Sequence, residues 1–126
     1  MKKIEWIVIG LLLLPIATLA EAANPYIGTW SVEFVTPTGK TQKGTVILNQ
    51  QDGTWDMKHQ NFKNLCSGQP FPIVIKKASA DKLVFKILRS RVLSGCTDHV
   101  AVLKPVNDKT MQGETKSGQK ITLVRE

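Results

Sequence analysis

The chain has 126 residues, of which 42% are hydrophobic and 21% charged, and its formal net charge is +7. This length fits one domain and excludes a TIM barrel, a full Rossmann domain and any two-domain enzyme, which need roughly 150–250 residues or more. The apolar content is too high and the charge too low for a disordered chain. We therefore expect one globular domain.

The first residues have the pattern of a secretory signal peptide. Residues 1–3 include two lysines, residues 6–20 are almost wholly apolar, and small residues follow. The apolar run is about 15 residues, short of the ~20 that a membrane-spanning helix needs, so a cleaved signal is favoured over an anchor. The favoured A-x-A site ends at Ala22 and the second choice ends at Ala20. We expect residues 1–22 to be removed and the protein to be periplasmic or secreted.

The remaining domain, residues 23–126, stays strongly basic, because the leader removes two basic and two acidic residues and leaves the net charge at +7. A charge of this size attracts anionic partners, although it also serves simply to keep a small protein soluble. We expect an anionic protein or envelope component as partner, membrane contact only during export, and a monomer. Too few aromatic residues accompany the basic ones to form a nucleic-acid stacking platform, so no nucleic acid is expected.

Cys66 and Cys96 are the two cysteines, and both lie in the exported part. An even pair in an exported protein predicts one disulfide, here closing a loop of about 30 residues. The alternative is a metal site, because Cys96 and His99 have C-x-x-H spacing. Structural zinc sites usually show close ligand pairs in both halves, and only one half has such a pair here. The disulfide is favoured, and no metal or cofactor is expected.

After residue 24 the apolar residues alternate with a period of two, which is typical of strands separated by turns. The Asp52-Gly53 pair predicts a hairpin turn, and Pro105 is expected to end the sixth strand. The predicted strands are 29–36, 43–50, 54–60, 71–77, 82–90, 99–104, 110–116 and 119–125.

Eight short strands in a series of hairpins have edges that must be protected. Closing the sheet into an up-and-down barrel removes the edges, and an eight-stranded barrel has room for packed side chains or one small ligand. We therefore predict an all-β, eight-stranded antiparallel up-and-down barrel with one disulfide. A two-sheet β-sandwich is the alternative that the same strands fit.

Gly28-Thr29-Trp30, at the start of the first strand, resembles the G-x-W signature of calycin-type barrels, which include lipocalins, avidins and small periplasmic metalloprotease inhibitors. The resemblance covers these three residues, the strand count and the chain length. It implies a small β-barrel and carries over no family function.

In such a barrel successive turns alternate between the two ends, so both cysteines lie at the same end. Basic residues of the loops there form a candidate partner-binding rim, whereas a set of inward apolar residues forms a candidate ligand cavity. The rim residues are Lys63, Arg89, Arg91, Ser94 and Lys116, and the cavity residues are Trp30, Trp55, Met57 and Phe85.

No catalytic motif is present in the sequence, and we do not expect an enzyme. Ser94, Asp98 and His99 do not form a triad, because adjacent strand residues point to opposite faces; His99 is predicted to be a satisfied surface histidine. The sequence favours an exported binding module that recognises a protein or an anionic surface through the basic rim, including as an enzyme inhibitor. The alternative is a carrier of a small apolar ligand inside the barrel.

Overall fold

The computed structural model describes residues 23–36, 38–57, 66, 69–116 and 118–126, and the predicted signal peptide lies outside this part of the chain. Eight antiparallel strands form a closed barrel in which each strand pairs with the next one in the sequence. The last strand pairs with the first and closes the barrel. The strands are β1 (Gly28–Val35), β2 (Thr41–Leu48), β3 (Asp52–Asp56), β4 (Phe71–Ser79), β5 (Lys82–Ile87), β6 (His99–Asn107), β7 (Thr110–Thr115) and β8 (Lys120–Arg125). The predicted up-and-down barrel is confirmed, and the sandwich is excluded because each of the eight described strands pairs with a neighbour on both sides.

The barrel interior is built from the alternation that the sequence shows. In β5, Leu83, Phe85 and Ile87 are buried, while the residues between them are only half-buried. Successive side chains of a strand point to opposite faces, so each strand supplies one inward row. The inward rows together make one hydrophobic core.

The two ends of the barrel differ. The end where β1 begins has the short connections after β2, β4 and β6, and is called the sealed end below. The opposite end has the connections after β1, β3, β5 and β7, and is called the disulfide end. A short 3-10 helix, Arg89–Arg91, lies at the disulfide end directly after β5. Among the described residues, no helix is long and apolar enough to cross a membrane.

Residues 24–27 cross the sealed end before the chain enters β1. The Tyr26 hydroxyl donates a hydrogen bond to the Ser79 carbonyl oxygen at 2.5 Å, on the far side of the barrel. The Trp30 indole donates to the Tyr26 carbonyl at 2.9 Å, and Trp30 is only 1% exposed. This segment therefore closes the barrel over its buried core.

Arg125 holds the same segment from the last strand. Its guanidinium lies 4.3 Å from the centre of a ring of Trp30, a cation–π contact. It also donates to the carbonyl oxygens of Ile27 at 2.8 Å and Pro25 at 3.1 Å. One cation thereby connects the segment before β1 to the last strand.

The Asp52-Gly53 pair does not form the predicted turn, and this expectation was wrong. Both residues lie in β3, and the connection is made by residues 49–51, where the Asn49 amide donates to the Asp52 carbonyl at 2.8 Å. Gly53 pairs with Leu48, and a Cβ there would lie 2.1 Å from the Ile47 carbonyl oxygen. The glycine serves the close approach of two strands.

Several predicted strand ends differ from the structure by one to four residues, and the three largest differences are in β6, β5 and β3. β6 continues through Pro105 to Asn107, because a register shift directly after Pro105 supplies a bulge, where proline is tolerated. β5 ends at Ile87, since the chain turns into the 3-10 helix instead of remaining extended to residue 90. β3 ends at Asp56, and residues 58–60 of the predicted strand lie outside the described part.

The predicted disulfide is confirmed. Cys66 and Cys96 are bonded, their Cα atoms lie 5.6 Å apart, and they are separated by 30 positions. Because both sulfur atoms are in this bond, neither cysteine supplies a thiolate ligand, and the C-x-x-H metal alternative is excluded. As the topology predicted, the bond joins two loops of the same end.

A candidate ligand cavity at the disulfide end

A cavity of about 180 Å³ opens at the disulfide end of the barrel. Its lower wall is apolar, and polar side chains and one cation surround its mouth. The apolar lining consists of Phe34, Trp55, Met57, Phe71 and Ile87. The remaining lining consists of Thr36, Gln42, Cys66, Gln69, Arg89, His99, Thr115 and Gln119.

Aromatic rings define the apolar wall. The ring centres of Phe34 and Trp55 lie 6.2 Å apart at an interplanar angle of 83°, an edge-to-face contact. Trp55 also contacts Phe85 at 6.1 Å, and Phe85 is fully buried beneath the cavity. These contacts hold Trp55 in place, so the wall is largely preformed.

The polar lining follows from the inward rows of the strands. In β5 the row Leu83, Phe85, Ile87 continues to Arg89, just after the strand ends. In β6 His99 occupies the inward row that runs down to Leu103. Each row is thus apolar towards the sealed end and polar at the disulfide end.

Arg89 and His99 form a hydrogen-bonded pair at the mouth. A terminal guanidinium nitrogen (Nη1) of Arg89 lies 2.5 Å from Nε2 of His99. Arginine only donates, so Nε2 accepts and the proton of a neutral imidazole is on Nδ1. Burial lowers the pKa of His99, the Arg89 cation lowers this pKa further, and Asp98 opposes the shift. Both the geometry and the electrostatics favour neutral His99.

Few interactions compensate for the burial of the positively charged Arg89 side chain. Its Nε atom is buried and has no hydrogen-bond acceptor among the described residues. The guanidinium lies 5.8 Å from the ring centre of Phe71, a second cation–π contact. Burial lowers the pKa of Arg89, partly opposed by Asp98, although arginine stays charged in proteins.

The Asp98 carboxylate contacts Ser90 and Lys86 and does not form an ion pair with the Arg89 guanidinium. Its carboxylate accepts a hydrogen bond from the Ser90 amide at 2.8 Å and lies 4.0 Å from Lys86 Nζ. That contact is the one ion pair within the described ranges. The hydrogen bond from the Ser90 amide lowers the pKa of Asp98 most and burial opposes this shift, while the Ser90 side chain, the Lys86 charge and the Arg89 backbone amide lower the pKa further. Asp98 therefore remains ionised without forming an ion pair with Arg89.

Of the four residues that the sequence predicted for a ligand cavity, two line the cavity and two lie in the packed core. Trp55 and Met57 line the cavity. Trp30 and Phe85 are 1% and 0% exposed and lie within the packed core below it.

The residues predicted for the partner-binding rim have different environments in the structure. Arg91, Ser94 and Lys116 are exposed, and Lys63 lies outside the described residues. Arg89 is half-buried and lines the cavity instead. Recognition of an anionic partner by the rim stays a prediction.

The expectation of a surface histidine was wrong, since His99 is half-buried and faces the cavity. Sequence reasoning also missed Phe34, Phe71 and Ile87 as lining residues. Strand alternation contained the signal for Phe34 and Ile87, because each ends an inward apolar row.

No protein-family model and no curated protein matches the sequence. Among solved structures, the chain is similar to a redesigned β-barrel with a TM-score of 0.58 and 19% identity, covering 86% of this chain and 97% of that chain. It is also similar to a de novo designed fluorescence-activating β-barrel, with a TM-score of 0.52 and 19% identity, covering 86% and 100%. A redesigned β-barrel bound to DFHBI gives 0.51 and 15%, covering 85% and 100%.

At these identities the likeness shows the fold alone, a small β-barrel. The finer resemblance to calycin-type barrels, carried by Gly28-Thr29-Trp30, stays a prediction.

Proposed function

We propose that this protein is a binding module that holds a small molecule in the cavity at the disulfide end. The observation that carries the proposal is the contrast within one barrel, which is packed at the sealed end and hollow at the other. A preformed concave site with apolar walls and a few polar groups is the usual form of a small-molecule site. Of the similar structures, one is a barrel bound to DFHBI, which supports small-molecule binding by this fold.

The size of the cavity limits the ligand. An engineered apolar cavity of about 150 Å³ binds benzene, whereas drug-sized ligands occupy roughly 300–1,000 Å³. The cavity here, at about 180 Å³, is close in volume to the benzene-binding cavity and smaller than the drug-sized sites. The ligand is therefore a compact molecule with one ring, or with two small fused rings, seated against Trp55 and Phe71.

The experiment is an NMR titration with phenol and with indole. The two domain tryptophans serve as opposite reporters, since Trp55 lines the cavity and Trp30 lies at the sealed end. We expect the Trp55 indole N–H signal to shift saturably while the Trp30 signal stays in place. Equal shifts of both signals, or none at Trp55, would contradict the proposal.

A matched pair of variants locates the site. Gln42 lines the cavity, whereas Lys43, the next residue of β2, is exposed. Gln42→Trp fills the cavity and should weaken binding of both probes at least tenfold. Lys43→Trp adds the same ring on the outer face and should leave binding unchanged.

The proposal places the protein outside the cytoplasm. It is supported by the signal-like leader and by the disulfide, because disulfides persist in oxidising compartments. Mass spectrometry of the native protein should show a chain that begins at Ala23, or at Glu21 if the second site is used. A native chain that still begins at Met1 would refute the export step.

A further inference from the structure

We infer that the ligand is a small aromatic carboxylate whose anionic group accepts hydrogen bonds from the Arg89 guanidinium, whose buried Nε has no acceptor among the described residues. The inference rests on the proposed function and adds the chemical class of the ligand. It is carried by three features of the cavity: an unsatisfied donor, a cation with no carboxylate among the described lining residues, and an aromatic wall.

The unsatisfied donor sets the position of the anion. One terminal nitrogen of Arg89 already donates to His99, whereas the buried Nε has no acceptor among the described residues. A buried donor without a partner is rare and destabilising, and a bound acceptor removes that penalty. The Nε edge of a guanidinium presents two parallel N–H groups, which match the two oxygens of a carboxylate.

The charge of the cavity favours the same ligand. Arg89 is the one charged residue that lines it in the described part of the chain, and no carboxylate does. Asp98, the acidic group whose charge acts on Arg89, accepts a hydrogen bond from the Ser90 amide and lies beside Lys86. An entering anion therefore meets a cation that has no ion-pair partner, and no carboxylate, among the lining residues that the structure describes.

The aromatic wall accommodates the rest of the molecule. Phe34 and Trp55 form an edge-to-face pair in the cavity, and Phe71 lies beneath the guanidinium. A ligand ring against these side chains places a short acid group towards Arg89. A long acyl chain does not fit a cavity of about 180 Å³.

The test is isothermal titration calorimetry of the folded, disulfide-bonded protein with phenylacetate and with its neutral isostere phenylacetamide. We expect phenylacetate to bind roughly 10- to 100-fold more tightly, the factor that one charge-assisted hydrogen bond supplies. Binding of phenylacetate should also shift the Arg89 Nε–H signal in an NMR spectrum. Equal affinity for the two probes would overturn the inference while leaving the proposed function intact.

Two arginine variants complete the test. Arg89→Met should abolish the difference in affinity between phenylacetate and phenylacetamide. Arg91→Met removes an exposed arginine of the same 3-10 helix and should preserve the full difference. An Arg89→Met protein that still prefers phenylacetate would overturn the role of Arg89.

The comparison of the two probes on the unmodified protein tests the inference even if a variant fails to fold. Absence of binding by either probe, together with an unshifted Trp55 signal in phenol, would overturn both the inference and the proposed function.

Discussion

The two ends of this barrel use the same strands for different purposes. The inward row of β6 runs from Leu103, fully buried near the sealed end, to half-buried His99 at the disulfide end. The row of β8 runs from buried Leu123 up to Gln119, which lines the cavity. An interior packed at one end stabilises the fold, and this leaves the other end able to hold polar groups and empty space.

The two arginines that contact aromatic rings differ in the same way as the two ends of the barrel. Arg125 stacks on Trp30 and donates to two backbone carbonyls, so its donors are used within the fold. Arg89 lies over Phe71 and keeps a buried donor unsatisfied. The first cation holds a structure closed, whereas the second keeps a donor that has no acceptor among the described residues.

The largest effect on stability is expected at the sealed end. Trp30→Ala should lower the free energy of unfolding by about 3–5 kcal/mol, because it leaves a large void in a packed core. Phe34→Ala, in the same strand but only partly buried beside the cavity, should cost at least ~1 kcal/mol less. Denaturant unfolding measures both, and an equal or larger cost for Phe34→Ala would break the comparison.

Removal of the disulfide should affect one end selectively. The double change Cys66→Ser and Cys96→Ser opens a loop of 30 positions, which costs about 3–4 kcal/mol on chain-entropy grounds. We expect the melting temperature to fall, phenol binding to weaken and the Trp30 NMR signal to keep its position. A displaced Trp30 signal would show that the two ends do not behave independently.

Replacing each of the two arginines by methionine should distinguish an effect on stability from an effect on ligand binding. Arg125→Met should cost about 1–2 kcal/mol through the lost cation–π contact and hydrogen bonds, and leave ligand affinity unchanged. Arg89→Met should be close to neutral for stability, because it removes a buried and poorly compensated charge. Chemical unfolding and calorimetry on both variants check this, and a reversed pattern would contradict the account.

The smallest effect is a pH dependence that comes from His99. Burial and the Arg89 cation lower its pKa in the folded protein below the ordinary value of about 6.5. The unfolded chain therefore binds a proton more readily, and stability should fall as the pH drops below about 6.5. His99→Gln should flatten this part of the curve of melting temperature against pH, measured above the range where the carboxylates titrate. An unchanged slope would count against a buried, neutral His99.

Much of the fold was predictable because it depends on local alternation and compartment. The period-two pattern of β5, with Leu83, Phe85 and Ile87, identifies an inward row without any tertiary information. Cysteine parity, together with the predicted export, likewise predicts the Cys66–Cys96 bond. Strand count and the need to remove edges then favour the closed barrel.

The errors arose where pairing between strands overrides a local pattern. Asp52-Gly53 has the composition of a turn, but Gly53 faces the backbone of β2 at a distance that only glycine allows. Arg89 was assigned to the rim because a charge near a loop suggests solvent. The inward row of β5 already directed Arg89 to the interior.

The cavity itself was not predictable in the same way. Trp30 and Trp55 have similar local sequences, since each directly follows a Gly-Thr pair in a strand. Whether an inward side chain meets another side chain or empty space depends on how the eight rows interdigitate across the barrel. That arrangement is a property of the closed structure.

The most direct test of the central claim is a crystal structure determined in the presence of phenol. The account predicts one phenol ring at the disulfide end, between Trp55 and Phe71, and a fully packed interior around Trp30. A cavity filled by protein side chains, or a phenol ring bound at the sealed end beside Trp30, would contradict the division between a packed end and a binding end.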